Sequence, residues 1–354
     1  MSRFFSEKYK DLEPYTPGEQ PQDMQYVKLN TNESPFPPCD AVINAAAAAA
    51  KTLRLYPDPD CKALVKKLAE TCGVTPDMVT VNNGSDETLN FAFMAYCDGT
   101  HPAVFPDITY GFYPVFCQIN GIPYTEIPLE PDFTVDIEKY KGVNKTVFLA
   151  NPNAPTGIAL TKAQIEELLI SNPDNVVVID EAYVDFGAES AVPLTLKYDN
   201  LLVVQTYSKS RSLAGGRLGY GIGSPALIAD LNAIKYSTNP YNINRVTAAA
   251  GLASLQNDEY SRRNCNIIAE NRAYTVCELK KLGFVCTDSK ANFIFAKSER
   301  IDGRTLYLEL KKRGVLIRHF EKARISDYNR ITVGSREQMD IFLAKVKEIL
   351  EEAK

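Results

Sequence analysis

One lysine stands in a sequence setting that favours chemistry on its side-chain amine. Lys209 lies between Ser208 and Ser210, and Ala-Gly-Gly-Arg217 follows a few residues later. The apolar run Leu201–Gln205 just before it is typical of a buried strand. A short polar setting of this kind can lower the pKa of a lysine amine, so that it reacts as a nucleophile, and Arg217 offers a planar cation that suits a phosphate. A lysine taken alone is more often a surface residue, but the combination predicts an imine-forming amine beside a phosphate site.

A second apolar run, Val176–Ile179, ends in the sequence Asp180-Glu-Ala-Tyr183. Taken alone, Asp180 could be a turn acid at the end of a strand. Together with Lys209, it is expected to keep a pyridine nitrogen protonated, and Tyr183 could donate a hydrogen bond to a phenolic oxygen. An imine-forming amine, an acid and phosphate-binding groups are what pyridoxal phosphate needs from a protein. We therefore predict an enzyme that uses pyridoxal phosphate.

The turn Asn83-Gly84-Ser85-Asp86 joins a predicted strand to a predicted helix. A turn of this kind exposes unpaired N–H groups at the positive end of the helix dipole, which favours a phosphate, although many strand-to-helix turns look similar. Tyr110 could lie over a flat cofactor. The alternative for Tyr110 is one more half-buried tyrosine among the nineteen in the chain.

Other cofactor and metal motifs are not supported. The chain has no Gly-x4-Gly-Lys-Ser/Thr pattern, and the third glycine of Gly219-Tyr-Gly-Ile-Gly223 comes one position early for a dinucleotide loop, so we interpret that segment as a strand. Neither histidine, His101 or His319, has a histidine or cysteine neighbour at ligand spacing. No metal site is predicted.

Composition limits the classes of partner. The chain has 354 residues, of which 45% are hydrophobic and 23% charged, with a net charge of −5. We therefore expect no overall positive charge that would attract nucleic acid. It has no run of 18 apolar residues that would predict a membrane span, and no apolar stretch typical of a secretion signal near its first residues. The eight cysteines are scattered, which favours reduced thiols in a cytoplasmic protein.

The order of predicted elements indicates an α/β protein with a mainly parallel central sheet. Short, continuously apolar runs alternate with helical segments, as expected for strands buried on both faces. These runs cover residues 78–81, 103–105, 123–127, 146–150, 176–179, 201–205 and 220–223. We expect an N-terminal arm that also joins the small domain (1–40), a large cofactor-binding domain (41–255) and a small α/β domain (256–354), the last beginning with a long helix. Asp40 is expected to cap a helix that runs to about residue 53.

Several motifs, taken in order, resemble those of the fold-type-I pyridoxal-phosphate aminotransferases, and among these most closely the histidinol-phosphate aminotransferases. They run through nearly the whole chain, beginning with Pro14–Pro21, Lys28–Pro35, Tyr56-Pro-Asp-Pro and Asn83–Glu87, and continuing with Asn151–Gly157, Asp180–Tyr183, the Lys209 segment and Arg330–Gly334. Each motif is loose by itself, but their order and spacing are specific.

The resemblance implies a role for each matching residue at the cofactor. Lys209 would carry the imine and later move the proton, Asp180 would pair with the pyridine nitrogen, and Tyr183 with the phenolic oxygen. The remaining matches bind the cofactor phosphate or stack on its ring, and they are Ser85, Asp86, Ser208, Arg217 and Tyr110. The position before Pro-Thr-Gly, an asparagine in most of the family, is Ala154 here, so one hydrogen bond to the phenolic oxygen should be missing.

The resemblance also implies substrate contacts and a homodimer with shared active sites. Arg330 matches the arginine that holds a substrate α-carboxylate, and the segments of Arg318, Tyr15 and Asn32 are similar to those that shape the substrate-phosphate pocket. Tyr56 resembles a tyrosine that reaches the cofactor phosphate of the neighbouring subunit.

The activity that the resemblance implies is a ping-pong transamination between glutamate and imidazole-acetol phosphate, in histidine biosynthesis. An aromatic aminotransferase or a threonine-phosphate decarboxylase would use the same lysine, but the segment Leu29–Pro35 favours the transaminase. A cofactor-binding module of a transcription regulator would need a basic DNA-binding domain before this region. About 25 residues of proline-rich arm do not supply one.

Overall fold

The computed structural model describes residues 2–352, and its centre is a seven-stranded sheet. The strands are β2 (Val79–Asn82), β3 (Ala103–Pro106), β4 (Tyr124–Ile127), β5 (Thr146–Ala150), β6 (Val177–Asp180), β7 (Leu201–Thr206) and β8 (Gly219–Gly223), numbered after the short N-terminal strand β1 (Val27–Lys28). Their order is β2-β8-β7-β6-β5-β3-β4. Strand β8 is antiparallel to both neighbours, whereas the other pairs are parallel.

Helices cover both faces of this sheet, which explains why its inner strands are mostly apolar, whereas the edge strand β4 is largely exposed. Strands β5 and β6 are buried along their whole length. The helices up to this point in the fold are α1 (Asp40–Ala50), α2 (Lys62–Cys72), α3 (Ser85–Tyr96), α4 (Tyr113–Asn120), α5 (Lys162–Ser171), α6 (Pro225–Thr238) and α7 (Arg245–Gln256). The predicted α/β fold class with a mainly parallel sheet is confirmed.

A second, smaller sheet follows the long helix α8 (Asp258–Lys281). It is antiparallel, in the order β12-β13-β10-β9, with strands β9 (Phe284–Cys286), β10 (Phe293–Ser298), β12 (Arg318–His319) and β13 (Tyr328–Thr332). Helices α9 (Gly303–Lys312) and α10 (Arg336–Glu352) pack against it around a separate apolar cluster. Strand β11 (Val315–Leu316) pairs in parallel with β1 as a separate two-stranded sheet. The N–H of Thr332 in β13 donates to the carbonyl of Leu29 (2.9 Å), which ties the N-terminal arm to the four-stranded sheet.

The structure corrects the predicted start and end of the first helix. Cys39, not Asp40, occupies the N-cap position, and it makes no side-chain capping bond. Asp40 is the first helical residue, where its negative charge still favours the positive end of the helix dipole. The helix ends at Ala50 rather than near residue 53.

None of the helices in residues 2–352 is both long and apolar enough to cross a membrane.

Candidate active site

A cavity of about 620 Å³ lies at the carboxyl ends of the parallel strands, where the small sheet faces the large one. This edge is where ligands bind in open α/β sheets, because the loops after successive strands meet there. Most of the residues predicted from the sequence line the cavity, namely Tyr15, Asn32, Ser85, Asp86, Tyr110, Asp180, Tyr183, Ser208, Lys209, Arg217, Arg318 and Arg330. Gly84 is not among the lining residues but precedes Ser85 and lies close to Arg217, and Tyr56 lies elsewhere on the surface.

The amine of Lys209 points into this cavity from the loop after β7. Its Nζ donates a hydrogen bond to the backbone carbonyl of Thr31 (3.2 Å) and lies 5.8 Å from the ring centre of Tyr183. Burial lowers the pKa of Lys209 to about 8, and the nearby positive charge of Arg330 acts in the same direction. A buried amine with this pKa is partly neutral near neutral pH, so it can act as a nucleophile.

This lowered pKa predicts how fast cofactor-free protein captures pyridoxal phosphate at different pH values. Because only the neutral amine attacks the aldehyde, the rate should rise with pH to a midpoint near 8 and then level off. The rate is measured by stopped-flow absorption and divided by that of a free lysine analogue under the same conditions, which removes the titration of the cofactor itself. A ratio that does not fall as the pH rises from 8 to 10.5 would contradict the assigned pKa.

The carboxylate of Asp180 ends strand β6 and is only 5% exposed. Burial raises its pKa to about 7, although the Tyr113 hydroxyl (3.1 Å) and the Ala182 N–H (3.2 Å) both donate hydrogen bonds to it. Among residues 2–352 no cationic side chain forms a salt bridge with Asp180 within 4.0 Å. A buried carboxylate in this state gains from a cationic partner, and a protonated pyridine nitrogen would be one.

The predicted phosphate turn is shaped by two glycines. Gly84 has a φ of +85°, and a Cβ there would lie 2.8 Å from Nη2 of Arg217. A Cβ at Gly219 would lie 2.2 Å from the backbone nitrogen of Ser85, so the start of β8 can approach the turn only as glycine. Helix α3 begins at Ser85 without a side-chain cap, which leaves its first N–H groups available to an anion.

Asp86 holds two neighbouring groups with its side chain. One carboxylate oxygen accepts a hydrogen bond from the Tyr110 hydroxyl (2.7 Å), and the other forms a salt bridge with Arg217 (3.2 Å). Arg217 also donates to Ser208 (3.4 Å). Because a carboxylate repels a phosphate, the contact of Asp86 with an anion would come from its backbone N–H, while its side chain orients Tyr110 and Arg217.

Two arginines from the small sheet reach the cavity without a carboxylate partner in the described part of the chain. Arg330 donates to the carbonyl of Asn30 (3.1 Å), and its buried Nε has no hydrogen-bond partner. Arg318 donates to the carbonyls of Thr16 (3.3 Å) and Pro17 (3.4 Å) in the N-terminal arm. Both charges are therefore available to an anionic substrate.

The N-terminal arm forms one wall of the cavity. Tyr15 packs on Phe112, with ring centres 4.4 Å apart. Farther along the arm, the Glu19 carboxylate accepts hydrogen bonds from Tyr307 and Lys311 of helix α9. The arm thus contacts elements that flank both sheets, and it closes the side of the cavity where Arg318 lies.

Tyr56 lies outside the cavity of its own chain. It is 78% exposed and stacks on Tyr241, with ring centres 4.8 Å apart. The guanidinium of Arg245 donates to the carbonyls of Leu55 (3.1 Å) and Tyr56 (3.0 Å), which fixes the loop. Tyr56 therefore does not line the cavity of its own chain.

Sequence reasoning missed several residues that shape the cavity. No sequence motif distinguishes Tyr113, which donates to Asp180, and Thr31 acts through a carbonyl that every residue possesses. Gly219 lies in a strand, as its sequence segment predicts, but no sequence pattern indicates its close approach to Ser85. These contacts join segments far apart in the chain, so no local pattern indicates them.

The residues present fit pyridoxal phosphate. The cavity offers a buried amine of lowered pKa, a buried acid without a cationic partner among residues 2–352, and a glycine turn with Arg217 beside it. These groups correspond to the aldehyde, the ring nitrogen and the phosphate of that cofactor.

Known proteins resemble this chain along nearly its whole length. Residues 24–346 match the family of class I and II aminotransferases. The chain is 49% identical to the histidinol-phosphate aminotransferase of Brachyspira hyodysenteriae, over 99% of each chain. It is 46% identical to histidinol-phosphate aminotransferase 1 of Bradyrhizobium diazoefficiens, over 99% of this chain and 100% of that relative.

A solved structure shows the same fold. The histidinol-phosphate aminotransferase of Sinorhizobium meliloti, in complex with pyridoxal-5'-phosphate, superposes with a TM-score of 0.86 over 93% of this chain and 92% of that one. The two sequences are 24% identical, so this likeness concerns the fold alone.

Proposed function

Because the chain belongs to the class I and II aminotransferase family, we propose that it uses pyridoxal phosphate to exchange an amino group between L-histidinol phosphate and 2-oxoglutarate. The products are imidazole-acetol phosphate and glutamate, and the two half-reactions alternate on one site. The observation that supports the proposal most is that one cavity is lined by Lys209, Asp180 and two arginines. Neither Arg318 nor Arg330 forms a salt bridge with a carboxylate of residues 2–352. The names of the two relatives that are 49% and 46% identical support the choice of substrate.

Different residues of the cavity would bind different parts of the cofactor. Bound pyridoxal phosphate supplies a ring that withdraws electrons from the carbon bearing the amino group. Asp180 would keep the ring nitrogen protonated, because the buried carboxylate favours a cation beside it. The turn at Gly84–Asp86, with Ser208 and Arg217, holds the phosphate.

Lys209 is the group that moves the proton. With a pKa of about 8, its free Nζ can both accept and release a proton near neutral pH. Its hydrogen bond to the Thr31 carbonyl keeps the amine inside the cavity when it is not covalently engaged. The hydroxyl of Tyr183, which also lines the cavity, would donate to the phenolic oxygen of the cofactor.

Arg318 and Arg330 bind the anionic end of each substrate. Histidinol phosphate carries a phosphate next to the reacting carbon, whereas glutamate carries carboxylates, and a guanidinium binds either group with paired hydrogen bonds. The same two cations can therefore serve both half-reactions. The imidazole is left to the walls formed by Tyr15, Phe320 and Ile325.

The proposal includes a homodimer in the cytoplasm. Leu53, Leu55 and Tyr56 are all exposed within one short segment, and an exposed apolar patch of this kind favours an interface. In a dimer, the outward Tyr56 would reach the cofactor phosphate of the neighbouring subunit. All eight cysteines are unpaired, which suits a reducing compartment.

The substrate is tested by following one half-reaction at a time. Purified holoenzyme is mixed separately with L-histidinol phosphate, phenylalanine, tyrosine and threonine phosphate, and the loss of the bound-cofactor absorption is recorded. We expect kcat/KM for L-histidinol phosphate to exceed the others by at least about 100-fold, because they lack either the phosphate or the ring. Preference for phenylalanine or tyrosine would indicate an aromatic aminotransferase, and release of carbon dioxide from threonine phosphate would indicate a decarboxylase.

The same assay separates phosphate recognition from general damage to the site. Arg318→Gln should lower kcat/KM for L-histidinol phosphate by roughly 10- to 100-fold, since a charged hydrogen bond contributes about 1.5–3 kcal/mol. Arg324→Gln is the matched control, because the Arg324 guanidinium already binds the Asp107 carboxylate (2.9 Å). Equal losses in the two variants would argue against a substrate role for Arg318.

A further inference from the structure

The side-chain amide of Asn32 is fully enclosed beside the catalytic cavity. Asn32 follows β1, is 1% exposed and has a left-handed φ of 56°. Its carbonyl oxygen accepts a hydrogen bond from the Asn292 amide (3.0 Å), which holds the backbone in this conformation. A buried asparagine in a strained backbone conformation is expected to have a specific structural or functional role for its side-chain amide.

Hydrogen bonds to Thr332 set which way the Asn32 amide faces. The backbone N–H of Asn32 donates to Oγ1 of Thr332 (2.9 Å). The Thr332 hydroxyl, with that lone pair engaged, donates its own proton to Oδ1 of Asn32 (3.0 Å). Because Oδ1 is thereby fixed toward Thr332, the Nδ2 group must face the other way.

The other partner of this amide is Tyr183. Nδ2 of Asn32 donates to the Tyr183 hydroxyl oxygen (3.0 Å). A hydroxyl oxygen that accepts a hydrogen bond from an amide keeps its own proton free to donate. The accepted bond also polarises the O–H group, which makes it a stronger donor. The Tyr183 ring is held from the side by Phe293, edge to face at 5.0 Å. Thr332, Asn32 and Tyr183 thus form a directed chain of donors that ends at the cavity.

Ala154 makes the hydrogen-bond series from Thr332 through Asn32 to Tyr183 more important in this protein. Ala154 lines the same cavity but contributes only a methyl group, which packs with Ala291 and Phe293. It therefore offers no side-chain donor to a phenolic oxygen of the cofactor. The direction in which Tyr183 donates decides whether that oxygen receives a hydrogen bond.

We propose that Asn32 is a positioning residue for Tyr183, which it orients as a donor toward the cofactor's phenolic oxygen, and that it does not act as a contact of the substrate phosphate. This inference rests on the proposed use of pyridoxal phosphate, but it is independent of which amino donor the enzyme accepts. The sequence prediction placed Asn32 in the substrate-phosphate pocket. In the structure its oxygen and one amide proton already have partners, which leaves one proton for any other contact.

The test is a pH titration of the bound-cofactor absorption, recorded without substrate. A hydrogen bond to the phenolic oxygen favours the deprotonated chromophore, so Tyr183→Phe should raise the titration midpoint. Asn32→Ala should raise it in the same direction by at least about half a pH unit, a threefold change in the acid constant. In the Tyr183→Phe background, Asn32→Ala should add almost nothing, because it acts through that hydroxyl.

A second pair of variants guards against misfolding of Asn32→Ala. Thr332→Val removes the hydroxyl that fixes the amide and should shift the midpoint upward, whereas the matched Thr332→Ser keeps the hydroxyl and should leave it unchanged. A midpoint that stays fixed in both Asn32→Ala and Thr332→Val would overturn the proposal. An additive shift in the double variant would do the same. So would a rise in KM for L-histidinol phosphate of tenfold or more without a spectral change, since that result indicates direct substrate binding.

Discussion

Replacement of Lys209 by alanine is expected to lower turnover of the holoenzyme by about 10³-fold or more, because it removes both the covalent attachment point and the group that moves the proton. Lys322 also lines the cavity, but its Nζ donates to the Asp107 carbonyl (2.5 Å) and does not replace the missing amine. Turnover is measured with L-histidinol phosphate and 2-oxoglutarate at saturating cofactor.

Two further observations separate loss of the amine from loss of the fold. Borohydride should fix the cofactor on the peptide that contains Lys209 in the wild-type protein, and it should leave the Lys209→Ala protein unlabelled. Lys197→Ala removes an exposed lysine that pairs with Glu166 (2.6 Å) and should keep wild-type turnover. Retention of more than a tenth of the activity in Lys209→Ala, or labelling of another lysine, would show that the wrong amine was assigned.

The strands could be predicted because burial on both faces leaves a local signal. The runs Val147–Ala150 of β5 and Val177–Ile179 of β6 are continuously apolar, and they are too short for a typical helix. The strand order could not be predicted, and neither could the antiparallel direction of β8, because pairing depends on segments that are distant in the chain. For example, Val79 of β2 pairs with Ile222 of β8.

Helices α4 and α7 are not predicted from the sequence. Helix α4 begins at Tyr113 with Pro114 in its first turn. Proline is well tolerated at that position, because the first N–H groups of a helix have no partner within it. Helix α7 begins with Asn244 as its N-cap, whose side chain accepts from Thr247, a signal that short sequence windows also show in turns.

The site shows the same division between local and distant signals. Lys209, Asp180 and Gly84 each follow a recognisable strand, so their types and positions indicate chemistry. The partners that tune them are distant in the chain, since Thr31 lies 178 positions from Lys209 and Tyr113 lies 67 positions from Asp180. Asn32 could be found as a site residue from its motif, but its hydrogen bond to Tyr183 spans 151 positions and required the structure.

Asparagine in place of Asp180 is expected to have opposite effects on catalysis and on the stability of the cofactor-free protein. Turnover should fall by roughly 10²-fold or more, because a neutral amide cannot hold the ring nitrogen in its protonated state. Without cofactor, however, the folded protein should become more stable at pH 8. The pKa of Asp180 is raised by burial from its usual value near 4 to about 7, so the ionised carboxylate disfavours the folded state above pH 7.

The raised pKa of Asp180 sets the sign of the stability difference and the pH range in which that difference changes. Below about pH 4, Asp180 is protonated in both states, and the variant should have nearly the same free energy of unfolding as the wild-type protein. Between pH 4 and 7 the wild-type protein loses stability relative to the variant, and above pH 7 the difference is constant at a few kcal/mol, with roughly 4 as its upper bound. Denaturant unfolding of the two cofactor-free proteins at pH 5 and pH 8 measures it.

The matched control is Glu181→Gln. Burial also raises the pKa of Glu181 to about 7, but its carboxylate accepts from Ser190 and Gln205, away from the residues that line the cavity. That variant should keep turnover within about threefold, since no group of the site depends on its charge. Addition of pyridoxal phosphate should narrow the stability gap between wild type and Asp180→Asn, because a protonated ring nitrogen compensates the buried carboxylate. A cofactor-free Asp180→Asn protein less stable than wild type at pH 8 would mean that the carboxylate already has a cationic partner, and Asp180 would then not be the acid beneath the ring.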